Sequence, residues 1–366
     1  MKKAIVLGAA MLLAGAAAFA ADVKFSGRIR VGYTFQFGDT DKTTLKKNPE
    51  GRMNLTIADP DSLWTITFDA ASNNENGGGF SDHYYRAKAT IALDKALKGA
   101  GVDLGDVSLK AFGGYYDYYE TKNVYDDGTY SDNDLDRMDL NVATQSKEAS
   151  IVGATVGYGK LVSVEAVSAP VSDSGVGTSF AFTATSKPVD GVQVGAGYGH
   201  NVRLVKGWDN VGLTYNDALS VSANADIAKL IKNDKFSLGA AGEFLYGFED
   251  SDDNLDAFFQ VLGRVNGGVE MVDGYVEYGF AKVDADGADP VHYMRVQANL
   301  NMVKGLGLDV YYQDYDLTNE ADNDDFEIGA ESSYTFGGVT YHLDVAYLAE
   351  KDNDNFKITP WIQIAF

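Results

Sequence analysis

The chain has no cysteine, which excludes a disulfide frame, thiolate chemistry and a cysteine metal site. Proline is scarce, with 6 in 366 residues. Past residue 20 no segment approaches 18 apolar residues in a row, so no helix is expected to hold the protein in a membrane. Basic residues are outnumbered, 30 Lys and Arg against 53 Asp and Glu, and the formal charge of −23 argues against a nucleic-acid partner. Catalytic signatures are missing as well: there is no G-x-S-x-G, H-E-x-x-H or P-loop. The four histidines, His83, His200, His292 and His342, fall on separate segments, His342 on an inward and His292 on an outward parity. Nothing sets a nucleophile beside a base, and no enzyme is expected. The run Gly195-Ala196-Gly197-Tyr198-Gly199 lies inside a strand pattern and precedes no helix, so it does not read as a dinucleotide loop.

What the chain does have is 40 Gly, 22 Tyr and 19 Phe, a composition suited to many long strands. The pattern is clearest in Asn355–Phe366. Phe356, Ile358, Ile362, Ile364 and Phe366 share one parity, and Lys357, Thr359, Gln363 and Ala365 take the other. The same period-2 alternation marks Val23–Phe37, where Phe25, Ile29, Val31, Tyr33 and Phe35 oppose Lys24, Arg28, Arg30 and Thr34. A wet face carrying two arginines is not a protein core; in a closed barrel it is the lumen. Slightly negative mean hydropathy with 45% hydrophobic residues fits strands that face water on one side.

Met1–Ala20 has the anatomy of a secretory signal: Lys2 and Lys3, the apolar run Ala4–Ala17, then Ala18-Phe19-Ala20 before an expected first mature residue at Ala21. Residues 21–366 then form one domain. With that signal in place, the strand ending on Phe366 resembles the closing strand of bacterial outer-membrane β-barrels. There the terminal aromatic is read by the barrel assembly machinery, and Phe366 takes that role by resemblance.

Short connections (Asp59–Ser62, Val189–Gly191, Asn266–Gly268, Lys304-Gly305, Gly337-Gly338) alternate with longer acidic ones (Glu249–Asp253, Asp284–Pro290, Asn319–Asp325, Glu350–Asn355), as inner turns and outer loops do. Asp94–Asp106 and Ala228–Asp234 read as short helical inner turns. Counting strand directions from both ends, with Asn210–Asp226 as one long strand and Met138–Ala143 in a loop, predicts an all-β transmembrane antiparallel β-barrel of about 18 strands; 16 and 20 are the alternatives. The Tyr and Trp residues read as interface anchors, Trp64 close to an inner turn and Tyr315 and Tyr347 close to outer loops.

Two charge groups face the lumen by parity. Lys24, Arg28, Arg30, Arg52, Arg86, Lys88 and Lys110 come from the first five strands. Asp309, Glu327, Glu331 and Asp344, with Asp273 and Glu277, come from strands near the C-terminus. Arg264, Arg295 and Lys357 interrupt the separation. The longest insert, Asp117–Glu148, follows the fifth strand and is rich in acids, Asp132, Asp134 and Asp136 among them. In position and charge it resembles the third outer loop of the general porins, which folds inward to narrow the pore, although the P-E-F-G-G sequence of that loop is absent here.

The resemblance implies an outer-membrane porin, a water-filled channel for small hydrophilic solutes and ions, set in outer-membrane lipid as a homo-trimer. The alternative is a surface adhesin or structural barrel without open-pore transport. Asp284-Ala285-Asp286-Gly287 begins like a calcium loop, but position 12 is Arg295, so an EF-hand is rejected. No cofactor is expected beyond weak Ca²⁺ or Mg²⁺ binding at the acidic outer loops.

Overall fold

A computed structural model describes residues 22–38, 42–45, 50–73, 82–116, 118–120, 140–143, 149–169, 178–205, 212–249, 256–283, 290–303, 306–314, 326–349 and 354–366. Eighteen strands form one closed antiparallel wall. The first six are β1 (Asp22–Gly38), β2 (Glu50–Ala58), β3 (Trp64–Asn73), β4 (Asp82–Ala92), β5 (Val107–Tyr116) and β6 (Ala149–Tyr158). The next six are β7 (Val162–Ala169), β8 (Ser179–Val189), β9 (Val192–Val205), β10 (Gly212–Asp226), β11 (Ser237–Gly247) and β12 (Phe258–Val269). The last are β13 (Val272–Val283), β14 (Val291–Val303), β15 (Leu306–Asp314), β16 (Phe326–Phe336), β17 (Val339–Ala349) and β18 (Asn355–Ala365).

Each strand pairs with the next. β18 pairs back onto β1 with Ile29 opposite Ile364 and Phe37 opposite Phe356. Closure is completed by two backbone hydrogen bonds, Gly27 N–H to Phe366 O at 2.8 Å and Phe366 N–H to Gly27 O at 3.0 Å. The expected count of 18 is the observed one. The long strand expected over Asn210–Asp226 is β10, and the glycine run 195–199 lies inside β9.

Among the described residues, three short strands stand outside the wall. Lys42–Leu45 pairs with the outer end of β1. Tyr118–Glu120 pairs with Leu140–Ala143, both within the insert after β5. Leu140–Ala143 also pairs with β9, at Asn141–Arg203 and Leu140–Leu204, and lies against β7, β8 and β10. It is therefore loop structure, as expected, and it carries the insert from β5 round to β9.

The wall has no second layer, so parity decides everything. Outward residues such as Ile29, Val221, Val310 and Leu343 are exposed and apolar. A sheet with that surface needs lipid around it, and closure satisfies its backbone groups without an edge. No helix among the described residues is long and apolar enough to cross a membrane.

The inner turns are tight. The Gly337-Gly338 hairpin has φ of 61° and 82°, a left-handed pair that glycine adopts without strain. Two inner turns are helical, as the sequence suggested: α1 (Leu93–Gly99) and α2 (Ile227–Leu230). The Asp226 carboxylate caps α2 by accepting from Lys229 N–H at 2.9 Å. Beyond α1, Gly105 N–H donates to Asp103 at 3.0 Å and Lys98 lies 3.2 Å away. That hydrogen bond first, and Lys98 second, hold the Asp103 carboxyl below its ordinary range. On α2, the hydrogen bond and charge of Asp190 raise the Lys229 ammonium.

A lumen with two charged arcs as the candidate functional site

Register shows how the basic residues meet. Arg28 on β1 stands directly opposite Arg52 on β2, and Asp69 on β3 stands opposite Arg86 on β4. Like charges facing each other across a strand pair are unfavourable. Asp69 relieves this with a two-point contact to Arg52, Nε–Oδ1 at 3.1 Å and Nη2–Oδ2 at 2.6 Å. Arg30 donates from Nε to Gln363 Oε1 at 2.8 Å. The Lys88 ammonium sits 4.1 Å from the centre of the Phe112 ring. Lys110 continues the inward parity on β5, where it is exposed. The predicted bases thus lie on one inner arc, β1 to β5. Asp69, on the wet parity of its strand, was not counted with them, and that it serves Arg52 follows only from register.

The predicted acids form a second arc. Asp309 on β15 faces Glu331 on β16, and Glu331 faces Asp344 on β17. Glu327, two residues outward of Gly329 on β16, accepts a hydrogen bond from the Tyr311 hydroxyl. Asp273 on β13 extends the arc through Asn299, whose Nδ2 donates to it at 2.6 Å.

β18 is the seam between the arcs. Trp361 points inward there and donates from Nε1 to Asp344 Oδ2 at 2.7 Å. Its ring is stacked on His342 of β17, centroids 3.4 Å apart and planes 6° from parallel. The Arg30 guanidinium lies 5.6 Å from the same ring. Gly32, beside Trp361 on β1, makes this possible, since a Cβ at that position would stand 2.3 Å from the Trp361 Cβ. Trp361, like Tyr275, Tyr293 and Tyr311, corrects the reading of Tyr and Trp as interface anchors: these rings face the lumen. Alternation alone assigns Trp361 inward, but its residue type argues for the lipid interface.

A third inner group lies opposite the basic arc in chain order. Glu277 on β13 is flanked by Arg264 on β12 and Arg295 on β14, and all three are almost wholly buried, at 0%, 4% and 3% exposure. Arg264 Nη1 lies 3.8 Å from Glu277 Oε2. Arg295 donates to Gln313 at 3.1 Å and to Gln297 at 2.8 Å. Gln297 passes a bond to Asn299 at 2.8 Å, so a hydrogen-bonded chain runs down β14 from Arg295 to Asp273. Arg264 and Arg295, which seemed to spoil the separation of charge, instead bracket one acid. At its inner end this face opens into a cavity lined by Asp234, Asn266, Glu270 and Asp273.

Asp132, Asp134 and Asp136 lie outside the described residues, as does most of each acidic loop considered for Ca²⁺ or Mg²⁺. Among the described residues no cluster of His, Asp and Glu has the geometry to hold a metal ion. Lumen charge in a low-dielectric wall orients polar solutes and sorts ions. Acids thus lie on one arc and bases on the next.

No protein-family model and no curated protein sequence matches the chain. Solved structures do match. The outer membrane protein OprD of Pseudomonas aeruginosa aligns with a TM-score of 0.59 at 10% identity, over 94% of each chain. OccK8 (OprE) of the same organism gives 0.58 at 11%, covering 94% of this chain and 98% of its own. OpdQ, also from Pseudomonas aeruginosa, gives 0.56 at 12%, with 94% and 98% covered. At such identities the likeness shows the fold: this chain has the closed β-barrel architecture of those proteins.

Proposed function

We propose that the chain is an outer-membrane porin, a water-filled channel for passive diffusion of small hydrophilic solutes and ions. One observation carries the reading: a closed wall that is apolar outside and lined inside by arginines, lysines and carboxylates. A barrel serving only as an anchor has no need of opposed charged arcs along its interior. Purified protein in planar bilayers should give discrete conductance steps. Stable insertion without conductance would leave the adhesin or structural barrel as the reading.

The constriction is proposed where the insert 117–148, through Asp132, Asp134 and Asp136, meets Arg28, Arg30, Arg52, Arg86, Lys88 and Lys110. Support comes from the bases sharing one arc and from the acid content of the insert. Changing Arg28 and Arg30 to Gln should move selectivity toward cations, and the three Asp to Asn should move it toward anions. Reversal potentials under a salt gradient measure both.

Export with cleavage before Ala21, trimer formation and delivery by the barrel assembly machinery complete the proposal. For assembly, Phe366 is the residue at stake. Its ring packs 5.7 Å from Phe25 at the β1–β18 seam while half its surface stays exposed on the lipid side. Phe366→Asp should sharply lower the yield of heat-modifiable barrel at unchanged synthesis; a normal yield would remove Phe366 from that role.

A further inference from the structure

The seam between the arcs contains a titratable group that the channel reading leaves unused. His342 projects into the lumen from β17, directly opposite Trp361, and its ring lies flat on the indole. The charged groups that face it come from every neighbouring strand. Asp344 is the next inward residue on its own strand, tied to Trp361 through the indole N–H. On β16, Ser333 is opposite and Glu331 is the diagonal neighbour. On β18, Thr359 and Gln363 flank Trp361, with Lys357 one inward position farther out. Across β18, Arg30 of β1 lies over the Trp361 ring. His342 therefore sits at the boundary, with carboxylates on one side and a guanidinium on the other.

We propose that His342 is a specificity-determining group of the pore, setting the balance between cation and anion passage according to its protonation. This rests on the channel reading and names a residue that tunes it. Neutral His342 leaves Asp344, Glu331 and Asp309 as an acidic arc reaching the seam. Protonated His342 places a positive charge next to Asp344 and carries the basic arc one strand further, from β1 past β18 to β17. The stack on Trp361 holds the imidazolium in place, because a cation over an indole face is attracted by the ring quadrupole. Of the three histidines whose side chains are described, only His342 faces the lumen: His200 and His292 lie on outward parity, paired with Asp217 and Tyr278. Imidazole changes charge between pH 5 and 8, a window in which ordinary carboxylates and guanidinium groups do not titrate.

The test is the reversal potential of the reconstituted channel under a KCl gradient, from pH 8 to pH 5.5. The cation-to-anion permeability ratio of the unaltered protein should fall about five-fold, because one charge at about 8 Å in a water-like dielectric changes cation and anion entry by about two-fold each, in opposite directions. His342→Gln should abolish the shift in this window. His342→Lys should give the low-pH ratio already at pH 8, a result that a purely structural role for the ring would not produce. His200→Gln and His292→Gln should keep the full shift. A flat profile in the unaltered protein overturns the proposal without any variant, as does a full shift that survives His342→Gln. A protein that inserts without conductance defeats the channel reading itself; one that conducts with pH-independent selectivity defeats only the role of His342.

Discussion

Two regions of the inner wall use the same residue types to opposite effect. On the β1–β5 arc, Arg52 meets Asp69 at 2.6 Å with about a third of its side chain still in water. On β12–β14, Arg264 and Arg295 bracket Glu277 with almost no exposure, and Arg264 Nη1 stands 3.8 Å from the acid. The hydrated pair has good geometry and little at stake, since solvent screens it and each partner is solvated alone. The buried group has much at stake, because removing one charge leaves its neighbours uncompensated in a poor dielectric. Arginine and carboxylate on one arc therefore stay in contact with the water of the lumen. On the other they are sealed into the wall.

The sharpest break in that comparison is Glu277→Leu. It should destabilise the barrel by about 3–5 kcal/mol, as loss of one member of a buried charged group does. Denaturant unfolding followed by heat-modifiable mobility measures it, and a loss under 1 kcal/mol would place the β12–β14 group with the hydrated arc. Next in size is a test of the parity on which both arcs depend. Leu343→Arg, on the lipid face, should cost about 2–4 kcal/mol if it lies near the bilayer midplane. Thr56→Arg, on the lumen face, should be tolerated, and equal cost at both would invert the inside–outside assignment.

Smaller still is Arg52→Gln. After allowance for screening it should change stability by no more than about 1 kcal/mol while shifting reversal potential toward cations. The smallest effect is at the Asp103 turn. Its folded carboxyl is depressed, so the stabilisation is present above the unfolded value of about 3.9 and lost as pH falls through the folded one. Amide exchange at Gly105 should rise only in that acid range, and Asp103→Asn should flatten the response.

Much of this was legible because a barrel wall is read one residue at a time. Period-2 alternation placed Ile29, Leu308 and Leu343 outward and Arg28, Glu331 and Asp344 inward, and direction counting recovered the 18 strands. Partners across strands were not legible. That Asp69 serves Arg52, or that Glu277 lies between Arg264 and Arg295, depends on register, which alternation leaves free by any even shift. Trp361 was obscured differently: its parity is correct for the lumen, but its chemistry favours the bilayer interface, and Gly32 on another strand makes the inward placement possible. The short strand Lys42–Leu45 carries no apolar alternation at all; its pairing with β1 is tertiary.

The β1–β18 seam also bears on how fast such a molecule forms. The Arg30–Gln363 hydrogen bond joins residues 333 apart in sequence. Most neighbouring wall strands are joined by short connections and can zip up locally, but the last pairing waits for the whole chain. Loop-closure entropy grows only with the logarithm of length, so the finished cylinder loses little stability by this. The waiting time is another matter, because non-local pairing slows folding. Until β18 arrives, β1 presents a free strand edge carrying Ile29, Val31, Tyr33 and Phe35, an invitation to pair with another copy. The most vulnerable moment of the unfinished chain is therefore the one just before the cylinder shuts.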